Sequence, residues 1–355
     1  RIGRFWSHIC TKTASSHTRI LDAAEKYRIC PFEFSLELSL WADVIICDYN
    51  YAFDPRVYLR RFFQEENGDY AFLIDEAHNL VDRSREMFSA EIFKQPLLDV
   101  RRALKTDLPH IFRCLGKINA QLVKTRKQCE ESGLSRAEKA APDNLFPLLR
   151  QFLHITERWL TKNFKTAYRE ALLDLYFAIS GFMRVADQYD DSYVTCYEKI
   201  KSDLKVKLFC LDPSQQLKQA LHRCLSAVFF SATMTPINYF KDILGCEEEA
   251  GQMMIPSPFP KENLGIFVSD RISTLYRHRD RTKSEVLQPI LNLISQKKGN
   301  YLLFFPSYAY MQMIYDLFLI QRPQTSVIVQ TPGMPESERE EFLERFSHNN
   351  PDTLV

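Results

Sequence analysis

The chain has 355 residues, 46 Lys and Arg against 45 Asp and Glu, a formal net charge of +1, and 45% hydrophobic residues. That length and apolar content support about two domains with sizeable cores and exclude a disordered chain. The charge balance excludes a supercharged nucleic-acid-binding tail, though not a local basic groove. No apolar run reaches the roughly 20 residues of a membrane-spanning helix, and no signal-peptide pattern opens the sequence. Nine cysteines, an odd number with no CxxC pair, predict reduced thiols in an intracellular protein rather than a disulfide framework.

Up to about residue 83 helix-like and strand-like segments alternate. Residues 42–47 and 70–74 are short apolar runs that end in Asp48-Tyr49-Asn50 and Asp75-Glu76, the pattern of buried parallel strands with polar C-terminal ends. From about 84 to 205 the pattern is helical: Leu104, Leu108, Ile111, Leu115, Ile118 and Leu122 recur every three or four residues. Residues 145–160 and 167–185 repeat it, and residues 130–143 read as a polar linker between helices. This block is expected to be an all-helical insertion. Beyond it, residues 227–230, 264–268, 301–305 and 327–329 predict buried strands, with helices over 284–295 and 308–319 between them. Thr353-Leu354-Val355 look like a strand just beginning, so the chain reads as a fragment of a longer protein.

The sharpest chemical signal is Leu73-Ile74-Asp75-Glu76-Ala77-His78. An apolar strand ending in two carboxylates suits nucleotide hydrolysis: one carboxylate holds Mg²⁺, usually through water, and the other orients or deprotonates the attacking water. A surface Asp-Glu capping the next helix is the plainer alternative. Ser231-Ala232-Thr233 follows a second predicted strand and leads into Met234-Thr235-Pro236. Hydroxyls there can link a nucleotide site to a neighbouring groove, or simply form a turn before a helix opened by proline. The ten glycines include no GxxxxGK[ST] loop, since Gly116-Lys117 is followed by Ile118.

Together these residues carry a family resemblance. Asp75-Glu76-Ala77-His78 resembles motif II of superfamily 2 helicases, and Ser231 to Pro236 resembles motif III of their XPD/DinG branch. Phe304-Phe305-Pro306-Ser307-Tyr308 is similar to its motif IV, and Cys30-Pro31-Phe32-Glu33 through Trp41 to Tyr51 to the stretch ahead of motif II. The resemblance implies an α/β fold of RecA-like P-loop motor domains with an inserted helical arch. On that scheme residues 1–83 hold part of an iron–sulfur region and of the first motor domain, 84–205 the arch, 206–248 a return to the first motor domain, and 249–355 the start of the second.

The resemblance also implies an ATP-dependent 5′→3′ DNA helicase, associated with DNA repair, that acts on single-stranded or forked DNA with ATP and Mg²⁺. Asp75 would bind Mg²⁺, Glu76 would serve as the base, and His78 would join them at the nucleotide. Ser231, Ala232 and Thr233 would couple the two sites, and Tyr49, Asn50, Tyr51, Ser307 and Tyr308 are candidates for contacting nucleic acid. Cys30, followed by proline, matches the last ligand of the family's [4Fe–4S] cluster, and Cys10 is a further candidate. Cys47, Cys210 and Cys224 read as ordinary buried thiols. Motif I and motifs V and VI are absent from these residues, so the 355 residues alone are expected to be inactive. The competing reading is a non-catalytic nucleic-acid-binding or regulatory relative without an ATP loop; the intact Asp75-Glu76 pair argues against it. A bacterial, cytoplasmic origin is expected, and oligomeric state is left open.

Overall fold

The structure, a computed structural model, describes residues 17–63, 69–164, 166–347 and 354–355. The fold is α/β and divides into two compact units, residues 1–253 and 254–355. In chain order the first unit holds α1 (His17–Tyr27), α2 (Pro31–Ser39), α3 (Asn50–Phe53), β1 (Ala71–Ile74), α4 (His78–Met87), β2 (Ala90–Phe93) and α5 (Lys94–Ala103). It continues with α6 (Pro109–Glu131), β3 (Ser135–Glu138), α7 (Phe146–Leu160), α8 (Arg169–Ala186), β4 (Tyr193–Ile200), β5 (Asp203–Cys210), α9 (Ser214–Leu221), β6 (Ser226–Phe229) and α10 (Ile237–Ile243).

β1 and β6 pair in parallel, with Phe72 opposite Ala227 and Ile74 opposite Phe229. Alternation along a strand puts these four side chains on one face. There they pack on a core of Phe53, Ala77, Leu80, Val81, Leu217 and Leu244. The opposite face carries Leu73 and Val228, which are 72% and 52% exposed. The expectation of strands buried on both faces therefore fails for this pair, because helices among the described residues cover only one side. Residues 42–47, also expected as a strand, carry no regular structure, and Ile46 is 96% exposed. A strand exists by its ladder, and no described segment pairs with this one. Cys47 is accordingly exposed, whereas Cys210 is buried as expected.

The inserted block has its own core. On α6 the buried residues Ile111, Cys114, Leu115, Ile118, Leu122, Thr125 and Cys129 follow the three-and-four spacing. They meet Leu149 and Phe152 of α7 and Leu172, Ile179 and Phe182 of α8. Proline in the first turn of α6 and of α7 costs no helical hydrogen bond there.

The block is not all-helical, which corrects the sequence expectation. β2, β5, β4 and β3 form, in that order, a four-stranded antiparallel sheet. The stretch read as a polar linker contains β3, and the expected boundary at residue 205 cuts through β5. The cause is a period of two in Tyr193-Val194-Thr195-Cys196-Tyr197, whose alternate residues are buried. Lys201 and Ser202 turn the chain between β4 and β5, and Lys201 takes a φ of 56°. This hairpin joins two cores. Tyr193 and Cys210, paired at one end, lie in the core beneath β1, while Tyr197 and Val206 lie in the helical core.

The second unit packs α11 (Arg279–Gln296) on α12 (Tyr308–Gln321) through Leu287, Leu291, Tyr310, Ile314 and Phe318, and also holds α13 (Glu336–Ser347). Both expected helices over 284–295 and 308–319 are present. Residues 301–305 and 327–329 form no strand ladder among the described residues, but Leu354 bridges in parallel to Asn300 on one side and Ser326 on the other. Residues 264–268 are exposed and irregular, with Phe267 89% exposed. No described strand offers them a ladder. Among the described residues no helix is long and apolar enough to cross a membrane.

Candidate active site

β1 ends at Ile74, and the chain turns at once into α4. The turn is tight because Glu76 adopts a φ of 45°, a left-handed conformation that residues bearing a Cβ seldom take. Its N–H donates to Asp75 Oδ1 at 2.7 Å, and Ala77 N–H donates to the Phe230 carbonyl just past β6 at 3.1 Å. Ala77 is fully buried. Asp75 and Glu76 consequently project from a fixed main chain into solvent, at the C-terminal end of a parallel strand, where α/β sheets bind ligands.

The loop after β6 reaches the same place. Ser231 Oγ lies 2.7 Å from His78 Nδ1 and 3.3 Å from Glu76 Oε2, and it accepts from Thr233 N–H at 3.2 Å. His78 Nδ1 itself is 3.3 Å from Glu76 Oε2. One consistent assignment has His78 Nδ1–H donating to Ser231 Oγ and the Ser231 hydroxyl donating to Glu76. The sequence motifs at 75–78 and 231–233 thus meet in one hydrogen-bonded cluster. Ala232 contributes no side-chain bond. Asp75 presents a hard, exposed oxygen donor of the kind Mg²⁺ takes through water. Glu76, held beside Ser231 and His78, presents a carboxylate able to receive a proton from water.

Tyr49 sits beneath the carboxylates. Its hydroxyl donates toward the carbonyl oxygens of Asp75 at 2.5 Å and Glu76 at 3.0 Å. Burial raises its pKa, as do the neighbouring charges of Asp75 and Glu76, against an opposing pull from Arg83. Asn50 lines an adjacent cleft of about 360 Å³ with Asp48, Tyr49, Asn79, Asp82 and Arg83. Tyr51 is half-buried, and its carbonyl accepts from Leu59 N–H.

The remaining candidates share no hydrogen bond with this cluster among the described residues, and Ser307 and Tyr308 belong to the second unit. Ser307 caps α12, accepting from Tyr310 N–H and from Arg279 Nη1, each at 3.3 Å. Tyr308 is 48% exposed. Cys30 is exposed at the N-terminal cap of α2, and Cys10 lies outside the described residues. Among the described residues no three His, Cys, Asp or Glu side chains converge to hold a metal. They supply one candidate thiol of the four a [4Fe–4S] cluster needs and do not complete such a site.

Two features escaped the sequence reading. One is the Tyr49 brace, whose only sequence signal was a polar end on an apolar run. The other is Arg223, whose half-buried guanidinium bonds the Ala52 carbonyl and lies 3.8 Å from the Tyr58 ring centre, pinning α3. Nothing in its sequence neighbourhood marks it.

The DEAD_2 family model matches residues 7–97, and the Helicase C-terminal domain model matches residues 290–355. The chain is 23% identical to the ATP-dependent DNA helicase CHL1 of Debaryomyces hansenii over 327 residues, covering 79% of this chain and 40% of that protein. It is 32% identical to a Fanconi anemia group J protein homolog of Gallus gallus over 85 residues, 24% of this chain and 7% of that protein. The solved "Structure of S. tokodaii Xpd4" aligns with a TM-score of 0.45 at 15% identity, covering 91% of this chain and 67% of that one. The chain spans about 40% of the length of the CHL1 relatives it matches. These curated relatives are eukaryotic, and a bacterial origin finds no support in them.

Proposed function

We propose that the chain is part of an XPD/DinG-like superfamily 2 helicase, and that the whole protein is an ATP-dependent DNA helicase whose hydrolytic carboxylates are Asp75 and Glu76. The observation that carries this reading is the cluster at the end of β1, where Glu76, His78 and Ser231 share hydrogen bonds. Asp75 would hold Mg²⁺, whose charge offsets that of the nucleotide phosphates when it is bound. Glu76 would take the proton of the attacking water, with its oxygen oriented by Ser231 and His78. Ser231 and Thr233 would carry the state of the nucleotide into the loop after β6. We read the part of the first unit around β1 and β6 as a first motor domain, the block between β2 and β5 as its arch, and the second unit as the start of a second motor domain. On this reading the helicase tracks single-stranded or forked DNA in the 5′→3′ direction. Asn50, Tyr51 and Tyr308 are assigned to contacts with the strand.

Glu76→Gln in the whole protein tests the reading. Hydrolysis of ATP should fall by about 10²–10⁴-fold while ATP and single-stranded DNA still bind. Hydrolysis at the wild-type rate would show that Glu76 is only a surface cap. Cys30 is proposed as one thiolate of a [4Fe–4S] cluster on its Cys-Pro context alone. Iron content unchanged in a Cys30→Ser whole protein would remove that assignment.

A further inference from the structure

We infer that Tyr49 is a positioning residue for the Glu76 carboxylate: its hydroxyl grips the main chain of both carboxylate residues and holds Glu76 in the left-handed conformation. The inference rests on the reading of Asp75 and Glu76 as the hydrolytic pair. It departs from the sequence expectation that Tyr49 contacts nucleic acid.

The hydroxyl proton is shared between two carbonyl oxygens, those of Asp75 and Glu76. The Glu76 carbonyl also accepts from Asn79 N–H at 2.8 Å, as the first turn of α4 begins. For the Asp75 carbonyl the Tyr49 hydroxyl is the donor that faces it. A φ of 45° at Glu76 is a conformation the surroundings must impose. Besides the bond from Asn79, three restraints act on it: the Asp75 side chain on the Glu76 N–H, the Phe230 carbonyl on the Ala77 N–H, and Tyr49 on the two carbonyls. Tyr49 is the only one of the three that comes from outside the two paired strand ends.

The tyrosine is itself held. It opens α3, whose Phe53 is 2% exposed in the core beneath β1. Arg223 bonds the Ala52 carbonyl of the same short helix from the segment that leads into β6. The two ends of β6 therefore act on Glu76 by separate routes. The segment before it acts through Arg223, α3 and Tyr49, and the loop after it acts through Ser231. Loss of the hydroxyl alone would leave the ring in place and loosen the Glu76 backbone, which keeps its other bonds. The consequence falls on the orientation of the carboxylate toward water, and small misplacements of a reacting group are costly.

The test is Tyr49→Phe in the whole protein, beside Glu76→Gln and the double variant. Tyr49→Phe should lower kcat for ATP about tenfold while KM for ATP, affinity for single-stranded DNA and melting temperature stay within about twofold or a degree of wild type. The double variant should be no slower than Glu76→Gln alone, because both changes act through one carboxylate. Hydrogen exchange of the peptide covering residues 74–78 should quicken by about fivefold or more in Tyr49→Phe, whatever the chemistry of the site. Wild-type turnover and exchange in Tyr49→Phe, with Glu76→Gln inactive, would overturn the inference and leave the proposed function standing. Faster exchange with Glu76→Gln fully active would instead overturn the hydrolytic reading and keep the brace as structure. Weaker DNA binding with unchanged kcat would return Tyr49 to the nucleic-acid interface.

Discussion

The Ser231 hydroxyl lies 3.3 Å from the Glu76 carboxylate although 155 residues separate them in the chain. The whole inserted block lies between the two, and the parallel pairing of β1 with β6 closes the distance. On the proposed reading the contact would give the site a route by which a change at a bound nucleotide reaches the loop after β6. Ser231→Ala in the whole protein should therefore cut base pairs unwound per ATP by about tenfold, with a smaller loss in ATP turnover. Parallel assays of unwinding and phosphate release give the ratio. Equal losses in both would make Ser231 part of the hydrolytic step alone.

Gly245 follows α10 at a φ of 70°, and a Cβ built on it would stand 2.3 Å from the Ser214 carbonyl oxygen and 2.8 Å from the Lys218 nitrogen. Both are main-chain atoms of α9 and cannot swing aside. Gly245→Ala should destabilise the first unit by about 1–3 kcal/mol, through the left-handed backbone and the clash together. Chemical denaturation followed by circular dichroism reads the shift in midpoint.

The helical core should answer to cavity formation. Phe152 of α7 is fully buried among Leu115, Ile118 and Phe182, whereas Phe177 of α8 is 61% exposed. Phe152→Ala should cost about 3–5 kcal/mol, and Phe177→Ala about 0.5 kcal/mol or less. Comparable midpoints for the two variants in denaturant would contradict the assignment of the core faces of α7 and α8.

Stability should fall at alkaline pH. Burial is the main cause that pushes the Cys210 thiol from its ordinary value near 9 up to about 12, and burial likewise raises the phenols of Tyr193 and Tyr197. In the folded chain these groups keep their protons while the unfolded chain loses them. The stability they contribute is intact below about pH 9 and drains away as pH rises toward 12, at up to about 1.4 kcal/mol per pH unit for each group. Denaturation midpoints measured from pH 7 to 11 test this, and Cys210→Ala should flatten the first part of the decline.

The sequence by itself determined what depends on local periodicity and on motif chemistry. The three-and-four spacing from Leu104 to Leu122 defined α6, because a helix face is a property of one segment. Asp75-Glu76 after an apolar run marked the candidate site, because open α/β sheets bind ligands at the carboxyl ends of their strands. The sequence failed where a structure needs a partner. Residues 42–47 and 264–268 have strand composition but no ladder among the described residues, and so remain irregular and exposed. β4 and β5 alternate plainly, yet a helical surround hid them until their pairing with β2 and β3 was visible.

The same division holds inside the site. Glu76, His78 and Ser231 each belong to a recognisable motif, but their mutual contact depends on two strands lying side by side. The bracing contacts of Tyr49 and Arg223 needed the tertiary structure altogether. A tyrosine in sequence can stack on a base, pack in a core or brace a carbonyl, and only its neighbours in space select among these. Hydrogen bonds act over about 3 Å, and a linear chain does not say which distant groups will come that close.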